Sequence, residues 1–318
     1  MSAARPRRRI LTWHVHGNYM YYLSQVPHEF YLVADDARSS AHGGRCGALP
    51  WGPNVHEVHV DAVARTPFDL VLYQNRAAWE DDRHRLLSPA QQRLPTVYLE
   101  HDPPQQHPTD TPHWCDTPDA VLVHVTHFNA LMWNAGRTPT RVIEHGVKLL
   151  QPARYTGELA RGLVVINQLG RRGRRLGLDI YQAMARQVPL QLVGMDSRAV
   201  GGAGEVPQQL LPQQMARHRF FFHPVRYTSL GLALIEAMMI GQPVVSLATT
   251  EAAAVLRDGE TAIVDTRPAR LLEGMRMLLR DPQAAHALGQ AGQRMAVERY
   301  HIERFVHDWD RLIGELCA

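Results

Sequence analysis

The residues most able to do chemistry lie in one run, His223-Pro-Val-Arg-Tyr-Thr-Ser-Leu-Gly-Leu-Ala-Leu-Ile-Glu-Ala-Met-Met-Ile-Gly-Gln-Pro-Val-Val245. An apolar strand ends at His223-Pro224. A loop carrying Thr228, Ser229 and Gly231 follows and runs directly into a helical segment, Leu230–Ile240, which Gly241 stops. A helix N-terminus presents unpaired N–H groups and a partial positive charge, so this junction can hold an anion. Gly231 would let a ligand come close to the backbone. Glu236 falls about one and a half turns into the helix. A carboxylate there opposes an anion but suits a neutral partner such as a sugar hydroxyl. Its alternative reading is a glutamate favoured by the helix dipole.

A second cluster is Arg171, Arg172, Arg174 and Arg175, in a loop after the apolar run Gly162–Ile166. Lys148 is the only lysine among 34 basic residues. Lysine Schiff-base chemistry and a lysine-bearing phosphate loop are therefore nearly excluded. Any bound anion must be held by arginine, histidine or backbone N–H groups, and arginine grips phosphate bidentately. The other reading of this loop is a solvated basic surface.

In the first half, His16-Gly17-Asn18 follows the first strand, and Gly17 would permit close approach. His16 reads equally well as a core histidine. Gln74-Asn75 and Glu100-His101-Asp102-Pro103-Pro104 lie at two other strand ends. His101 could orient a ligand and Asp102 could accept a hydroxyl proton, or the segment is an Asp turn capped by prolines. His107, His113, His124 and His127 make this half histidine-rich, but His124-x-x-His127 spans a strand-to-helix passage on which the rings need not converge on a metal. Cys46, Cys115 and Cys317 are odd in number and form no CxxC pair, so neither a disulfide framework nor a structural zinc site is expected.

These residues need elements to position them. Apolar runs alternate with helical spacing along the chain, the α/β signature. In the first half, strands are predicted at Ile10–Val15, Phe30–Ala34, Phe68–Tyr73, Thr96–Leu99, Ala120–Val125 and Thr140–Glu144, with helices at Tyr19–Gln25 and His127–Trp133. In the second, strands are predicted at Gly162–Ile166, Leu190–Val193, His218–Phe222 and Pro243–Leu247, and helices at Leu178–Arg186, Pro268–Leu279, Pro282–Arg299 and Glu303–Leu316. Ligands of open α/β sheets bind at the carboxyl ends of strands, where all the clusters above fall.

With 318 residues, 45% of them hydrophobic, the chain is long enough for two domains, each with its own core. A net charge of +3 argues against a general nucleic-acid coat. The start looks like a signal n-region, yet Ile10–His16 carries two histidines where an apolar stretch should be, and no window approaches 18 apolar residues. The compartment expected is a reducing cytoplasm. The basic tail Arg5–Arg9 is either solvated or a peripheral contact with anionic lipid at the inner face of the membrane, with Tyr19, Tyr21 and Tyr22 as candidate aromatic contacts.

The run from Pro224 resembles the donor site of retaining glycosyltransferases of family 4, whose pattern is Pro-Ser-x-x-Glu-Gly-Phe-Gly-Leu-x-x-x-Glu-Ala-Met-Ala-x-Gly-x-Pro-Val-Val. Pro224, Gly231, Leu232, Glu236, Ala237, Met238, Gly241, Pro243, Val244 and Val245 match in register. Ala253–Val264, with Asp258-Gly259 at its turn, looks like that family's next element, and Arg141–Val147 resembles its strand-to-linker step. The resemblance covers roughly residues 160–300.

It implies an α/β protein of the GT-B fold, two Rossmann-like doubly wound domains facing each other across a cleft. Residues 1–150 would form the acceptor-side domain, 151–161 a linker and 162–300 the nucleotide-sugar domain. Residues 301–318 would be a helix packing back on the first domain. The activity implied is metal-independent transfer of a hexosyl-type sugar from a nucleotide diphosphate sugar to a hydroxyl, with retention. The donor is a substrate, with no separate cofactor. The acceptor would be a glycan, a lipid-linked molecule or a protein, and no nucleic acid partner is implied.

Ser229, Leu230 and Gly231 would meet the diphosphate and Glu236 the ribose. Arg171 or Arg175 would supply positive charge, since Leu176 stands where the family has its phosphate-gripping lysine. Thr228 stands where the family has the glutamate that helps hold the donor sugar. His101, Asp102 and Gly17 would serve the reacting centre and acceptor. Two alternatives stand beside this one: a non-catalytic nucleotide-sugar-binding or scaffold protein, and a nucleotide-sugar epimerase of the same fold.

Overall fold

A computed structural model describes residues 6–15, 17–149 and 151–318. His16 and Arg5, named above, lie outside the described residues. The chain runs β1 (Arg9–Thr12), α1 (Gly17–Leu23), β2 (Glu29–Ala34), β3 (Val55–His59), β4 (Leu70–Tyr73), a π-helical segment (Ala78–Asp82) continuing into the single turn α2 (Arg83–Arg85), β5 (Thr96–Glu100), β6 (Ala120–His124), α3 (His127–Met132) and β7 (Thr140–Val142). It continues through β8 (Leu159–Val165), α4 (Leu169–Arg172), α5 (Leu178–Ala185), β9 (Leu190–Val193), α6 (Leu211–Arg217), β10 (His218–His223), α7 (Leu232–Ile240), β11 (Val244–Leu247), α8 (Thr250–Val255) and β12 (Ile263–Asp265). The helices α9 (Pro268–Arg280), α10 (Pro282–Tyr300) and α11 (Ile302–Leu316) complete it.

Two compact units result. The first reaches Gly146 and includes Ile302–Ala318; the second is Val147–His301.

The first unit holds a seven-stranded sheet in the order β3-β2-β1-β4-β5-β6-β7, every neighbouring pair parallel. Parallel strands are covered on both faces, which is why Leu70-Val-Leu-Tyr73 and Thr96-Val-Tyr-Leu-Glu100 are buried throughout. Trp13 stacks on Tyr73 at 5.2 Å inside this core. The strand order reverses between β1 and β4, so the crevice between the loops after those strands is the topological switch point.

In this unit α11 buries Phe305, Trp309, Leu312 and Ile313 along one stripe. Phe305 packs so tightly on Gly146 that a Cβ there would collide with it.

The second unit holds a five-stranded parallel sheet in the order β12-β11-β10-β8-β9. In chain order of its strands this is the flavodoxin-like arrangement, with its switch point between β8 and β10. Its core joins Phe220, Phe222 and Val245 of the sheet to Ile180, Met184 and Met275 of the covering helices.

Several predicted features come out differently. The segment 151–161 carries regular structure at its end. Strand β8 begins at Leu159, and Tyr155 is buried, its hydroxyl donating to the Arg219 carbonyl at 2.7 Å. Backbone bonds from Thr156 and Gly157 to the Ala216 carbonyl hold the approach to β8 against the second unit. Strand β3 and helix α6 are unanticipated, β3 because Val-His-Glu-Val-His offers only two apolar side chains at the sheet edge.

The tyrosines 19, 21 and 22 are buried, so they form no membrane-facing set. Within the tail, Arg7 pairs with Glu29, Arg8 donates to the Cys317 carbonyl and Arg9 lies over the Tyr31 ring. No helix among the described residues is long and apolar enough to cross a membrane.

Candidate functional site

Both switch points gather polar side chains, and they do so with different chemistry. In the second unit the loops after β8 and β10 meet. Gly177 caps α5 with φ of 85°, and a Cβ on it would strike the Pro224 carbonyl. Only glycine satisfies both the left-handed backbone and that approach. The contact locks the loop after β10 onto the start of α5: the Arg226 and Tyr227 N–H groups donate to the Arg175 carbonyl at 3.0 and 3.2 Å.

Arg226 then grips Asp179 with both guanidinium nitrogens, at 2.6 and 2.8 Å, and Arg174 adds a third bond at 2.5 Å. The Arg226 hydrogen bonds hold the Asp179 carboxyl below the usual range.

The run 171–175 is therefore not one basic loop. It is the short helix α4 followed by a 3-10 turn, Gly173–Leu176. Arg174 is committed to Asp179, and the exposed Arg171 reaches Gln168. Arg175 is half-buried at the junction with the 226–227 loop and makes no ion pair among the described residues. Leu176 is 3% exposed and packs in the core. Arg226, which the sequence reading passed over, is the cation that organises this corner; its position two residues before Thr228 was the available signal.

Helix α7 starts one residue after Gly231, its N-cap, and no side chain caps it. Its first N–H groups are thus those a ligand could take. Gly231 keeps an ordinary negative φ. What crowds a side chain there is the His223 ring, whose Cε1 would lie 3.1 Å from an added Cβ. His223 ends β10 fully enclosed, and burial pushes its ring down to about 4, so it is neutral at pH 7.

Thr228 is half-buried, Ser229 and Leu230 are buried, and the Ser229 carbonyl accepts from Thr250 Oγ1 at 3.3 Å. The Leu230 side chain is 2% exposed, which leaves its backbone as the part able to meet a ligand. Thr250 has φ of 51°, an unusual value for a branched residue. Glu236, at 4% exposure, and Glu251, at 2%, are two carboxyl groups inside the unit.

In the first unit, residues after β1, β4 and β5 open onto a cavity of ≈ 730 Å³. Gln74 is fixed at its base: its amide nitrogen donates to Thr12 Oγ1 at 3.0 Å and to the Trp13 carbonyl at 2.8 Å. Its oxygen lies 3.0 Å from His101 Nε2 and can only accept, so that ring nitrogen is the donor of the pair. His101 is buried, edge-on to Tyr19 at 4.7 Å.

Asp102 is half-buried at the cavity wall, its carbonyl accepting from Trp133 Nε1 at 2.8 Å. Gly17 opens α1, where an added Cβ would lie at ordinary contact, 3.6 Å from His14 Nε2. The sequence reading missed Glu100 as a site residue. It lines the cavity between Asp102 and His113, next to the pair it had singled out.

His124 is buried and His127 exposed, so this pair does not converge. Among the described residues no group of three or more His, Cys, Asp or Glu side chains could hold a metal.

Residues 198–295 match the family model described as Glycosyl transferases group 1. No curated protein matches the chain. Among solved structures, sucrose-phosphate synthase from Thermosynechococcus elongatus is similar at 15% identity and TM-score 0.70, covering 98% of this chain and 99% of that one. HepE from Anabaena in complex with UDP-glucose is similar at 16% identity and TM-score 0.69, over 97% and 99%. A glycosyltransferase from Rickettsia africae gives 11% identity and TM-score 0.70, over 98% of each chain. Likeness across both parallel-sheet units shows the fold, which is GT-B.

Proposed function

We propose that the protein is a glycosyltransferase that moves a hexosyl-type sugar from a nucleotide diphosphate sugar to a hydroxyl, with retention and without a metal. The observation that carries this is the switch point between β8 and β10, where the family-patterned run Pro224–Val245 turns into the uncapped N-terminus of α7. That run lies inside the segment matching the glycosyl transferase model. Similar structures hold UDP and UDP-glucose.

The N–H groups at Gly231 and the start of α7 would bind diphosphate oxygens. Arg175, half-buried at the junction and without an ion pair among the described residues, would neutralise charge on the leaving phosphate, the main electrostatic task. Glu236 would accept from the vicinal ribose hydroxyls. Thr228 would hydrogen-bond the donor sugar without a charge. In the first unit His101 and Asp102 would orient the acceptor hydroxyl, and Asp102 is the candidate to receive its proton.

The test is to incubate the protein with a panel of nucleotide sugars and follow nucleotide diphosphate release with and without hydroxyl acceptors. Release that depends on both partners is expected. Failure to bind any nucleotide or nucleotide sugar overturns the reading. Thr228 in place of a glutamate favours one second reading, a member that binds nucleotide sugar without turnover; it predicts binding with no release.

A further inference from the structure

The first-unit cavity has a wall and a charge pattern that select a ligand. His113 lies 4.6 Å from Trp114 and 4.8 Å from Trp133, and the two tryptophans meet edge-on at 5.2 Å. Tyr98 closes on His113 at 4.8 Å. Three carboxyl groups, Glu80, Glu100 and Asp102, face a single guanidinium, Arg76, whose Nε is already bonded to Glu80 at 2.8 Å. Even with Glu100 protonated, Glu80 and Asp102 outnumber Arg76, so a phosphate or carboxylate entering here would meet net repulsion. Aromatic walls beside fixed polar groups suit a sugar ring, with C–H faces against the rings and hydroxyls toward the polar atoms.

Glu100 is the most firmly held of these polar groups. It is the last residue of β5 and is 8% exposed. Its Oε1 accepts from the Asp102 N–H at 2.9 Å, and its Oε2 lies 3.2 Å from His113 Nε2. His113 Nδ1 accepts from the Cys115 N–H at 3.0 Å, so the neutral ring carries its proton on Nε2 and donates it to Glu100. A protonated carboxyl with both these bonds made still has its own O–H to give.

We propose that this cavity binds an uncharged sugar ring and that Glu100, positioned by His113, donates a hydrogen bond to one of its hydroxyls. That this sugar belongs to the acceptor rests on the glycosyltransferase reading; the binding itself does not. Donation needs a protonated Glu100. Burial pushes this carboxyl up to about 8, against the pull of the Asp102 and His101 N–H groups that bond it, and the Asp102 charge adds to the rise. His113 and His124, the register partner of Glu100 on β6, are both held down to about 4 by burial. Both rings are therefore neutral at pH 7. Tyr98, two residues earlier, is held as a phenol by burial. The remaining charges facing the cavity are Asp102, Glu80 and Arg76, and His101 is tied to Gln74. Above about pH 8 Glu100 becomes an anion and the donor is lost.

Methyl glucoside, methyl mannoside and methyl N-acetylglucosaminide are titrated into the intact protein without donor, from pH 6 to pH 9.5, with tryptophan fluorescence as the readout. At least one should bind, with affinity falling about tenfold per pH unit above the Glu100 midpoint. Glu100→Gln keeps a donor and cannot ionise, so its affinity should stay flat. His113→Phe removes a bond to the anion and should move the fall to higher pH, which mere loosening of the wall would not do. Trp114→Ala should weaken binding at every pH.

The inference is overturned if no glycoside binds, if inorganic phosphate or only cationic methyl glucosaminide binds instead, or if wild type shows no alkaline fall. A fall that survives in Glu100→Gln overturns it too. UDP is titrated in parallel. Nucleotide binding without glycoside binding removes this inference alone, and glycoside binding without binding of UDP or of any nucleotide sugar of the panel removes the glycosyltransferase reading alone.

Discussion

The two units solve the same architectural problem with opposite charge. Each is a parallel sheet whose strand order reverses once, and each gathers its polar side chains at that reversal. At the second-unit switch point the organising groups are Arg226, Arg174 and Arg175 beside a bare helix N-terminus. At the first they are carboxyls against an aromatic wall. Topology decides where a ligand can sit, and side-chain charge decides which ligand. On the proposed readings, one corner takes an anion and the other an uncharged ring.

The largest expected effects break the anion corner alone. Gly177→Ala forces a Cβ into the Pro224 carbonyl at a left-handed φ. It should cost several kcal/mol, on the order of 3, and abolish UDP binding, as read by thermal melting and titration. Glu236→Ala should cut donor turnover about a hundredfold if the carboxylate holds the ribose. Glycoside binding in the first unit should survive it. Equal loss at both sites would mean that the two corners are not separable.

That separation was only partly legible in the sequence. The run 223–245 made the proposed anion corner readable because its elements are local: strand end, glycine and helix start lie within a few residues. The Arg226–Asp179 pair spans 47 positions and exists only because Gly177 lets Pro224 come close, so no spacing rule could find it. Glu100–His113 spans 13 positions across a proline-rich loop, and the aromatic wall joins residues from β5, that loop and the end of α3. Asp102 drew attention as an acid at a strand end able to accept a hydroxyl proton, whereas folding turned the neighbouring acid, Glu100, inward. Most strands were readable from their apolar runs; the polar edge strand β3 and the three-residue β12 were not.

The corners should also differ in how pH acts on stability. Glu100 has its folded value raised from the usual 4.5 to about 8. The folded state then holds a proton that the unfolded chain releases between those values, so its contribution is full below about 4.5 and is lost as pH rises to 8. Glu100→Gln should remove this slope, gaining a few kcal/mol on wild type between pH 5 and pH 8.5. His223 has the opposite sign. Its value is lowered from 6.5 to about 4, so the unfolded chain takes the proton first and stability falls as pH drops through that window. His223→Gln should flatten the acid side only. Melting curves across pH test both, and a mutation that flattened the wrong limb would break the assignment.

The anion corner can be sharpened further by comparing its arginines. Arg175→Ala should weaken UDP binding about tenfold, because its charge is not taken up by a carboxylate among the described residues. Arg174→Ala should weaken it less than about threefold, since that charge is spent on Asp179 and is partly exposed. Arg226→Ala should behave differently from both, leaving Asp179 facing the junction with only Arg174, and so should lower UDP affinity more than Arg174→Ala does. If none of the substitutions at Arg171, Arg174 and Arg175 matters, the phosphate does not bind beside this run.

The smallest expected effect probes the neutral corner from beneath. His124 is fully buried at the end of β6, next to Glu100 in register, and neither ring nitrogen has a hydrogen-bond partner among the described residues. Leaving such a group unsatisfied costs free energy, and replacing it by an apolar side chain recovers part of that cost. His124→Leu should therefore raise stability by about 1 kcal/mol at pH 7, and by more toward pH 4, where the wild-type ring is pulled toward protonation. It also removes a titratable neighbour of Glu100 without touching the cavity wall. An alkaline limb of glycoside binding that stays in place in His124→Leu assigns that limb to Glu100 and His113. A limb that moves with this substitution makes His124 a third member of the proton-holding group, and the neutral corner would then extend from the cavity into the core of the sheet.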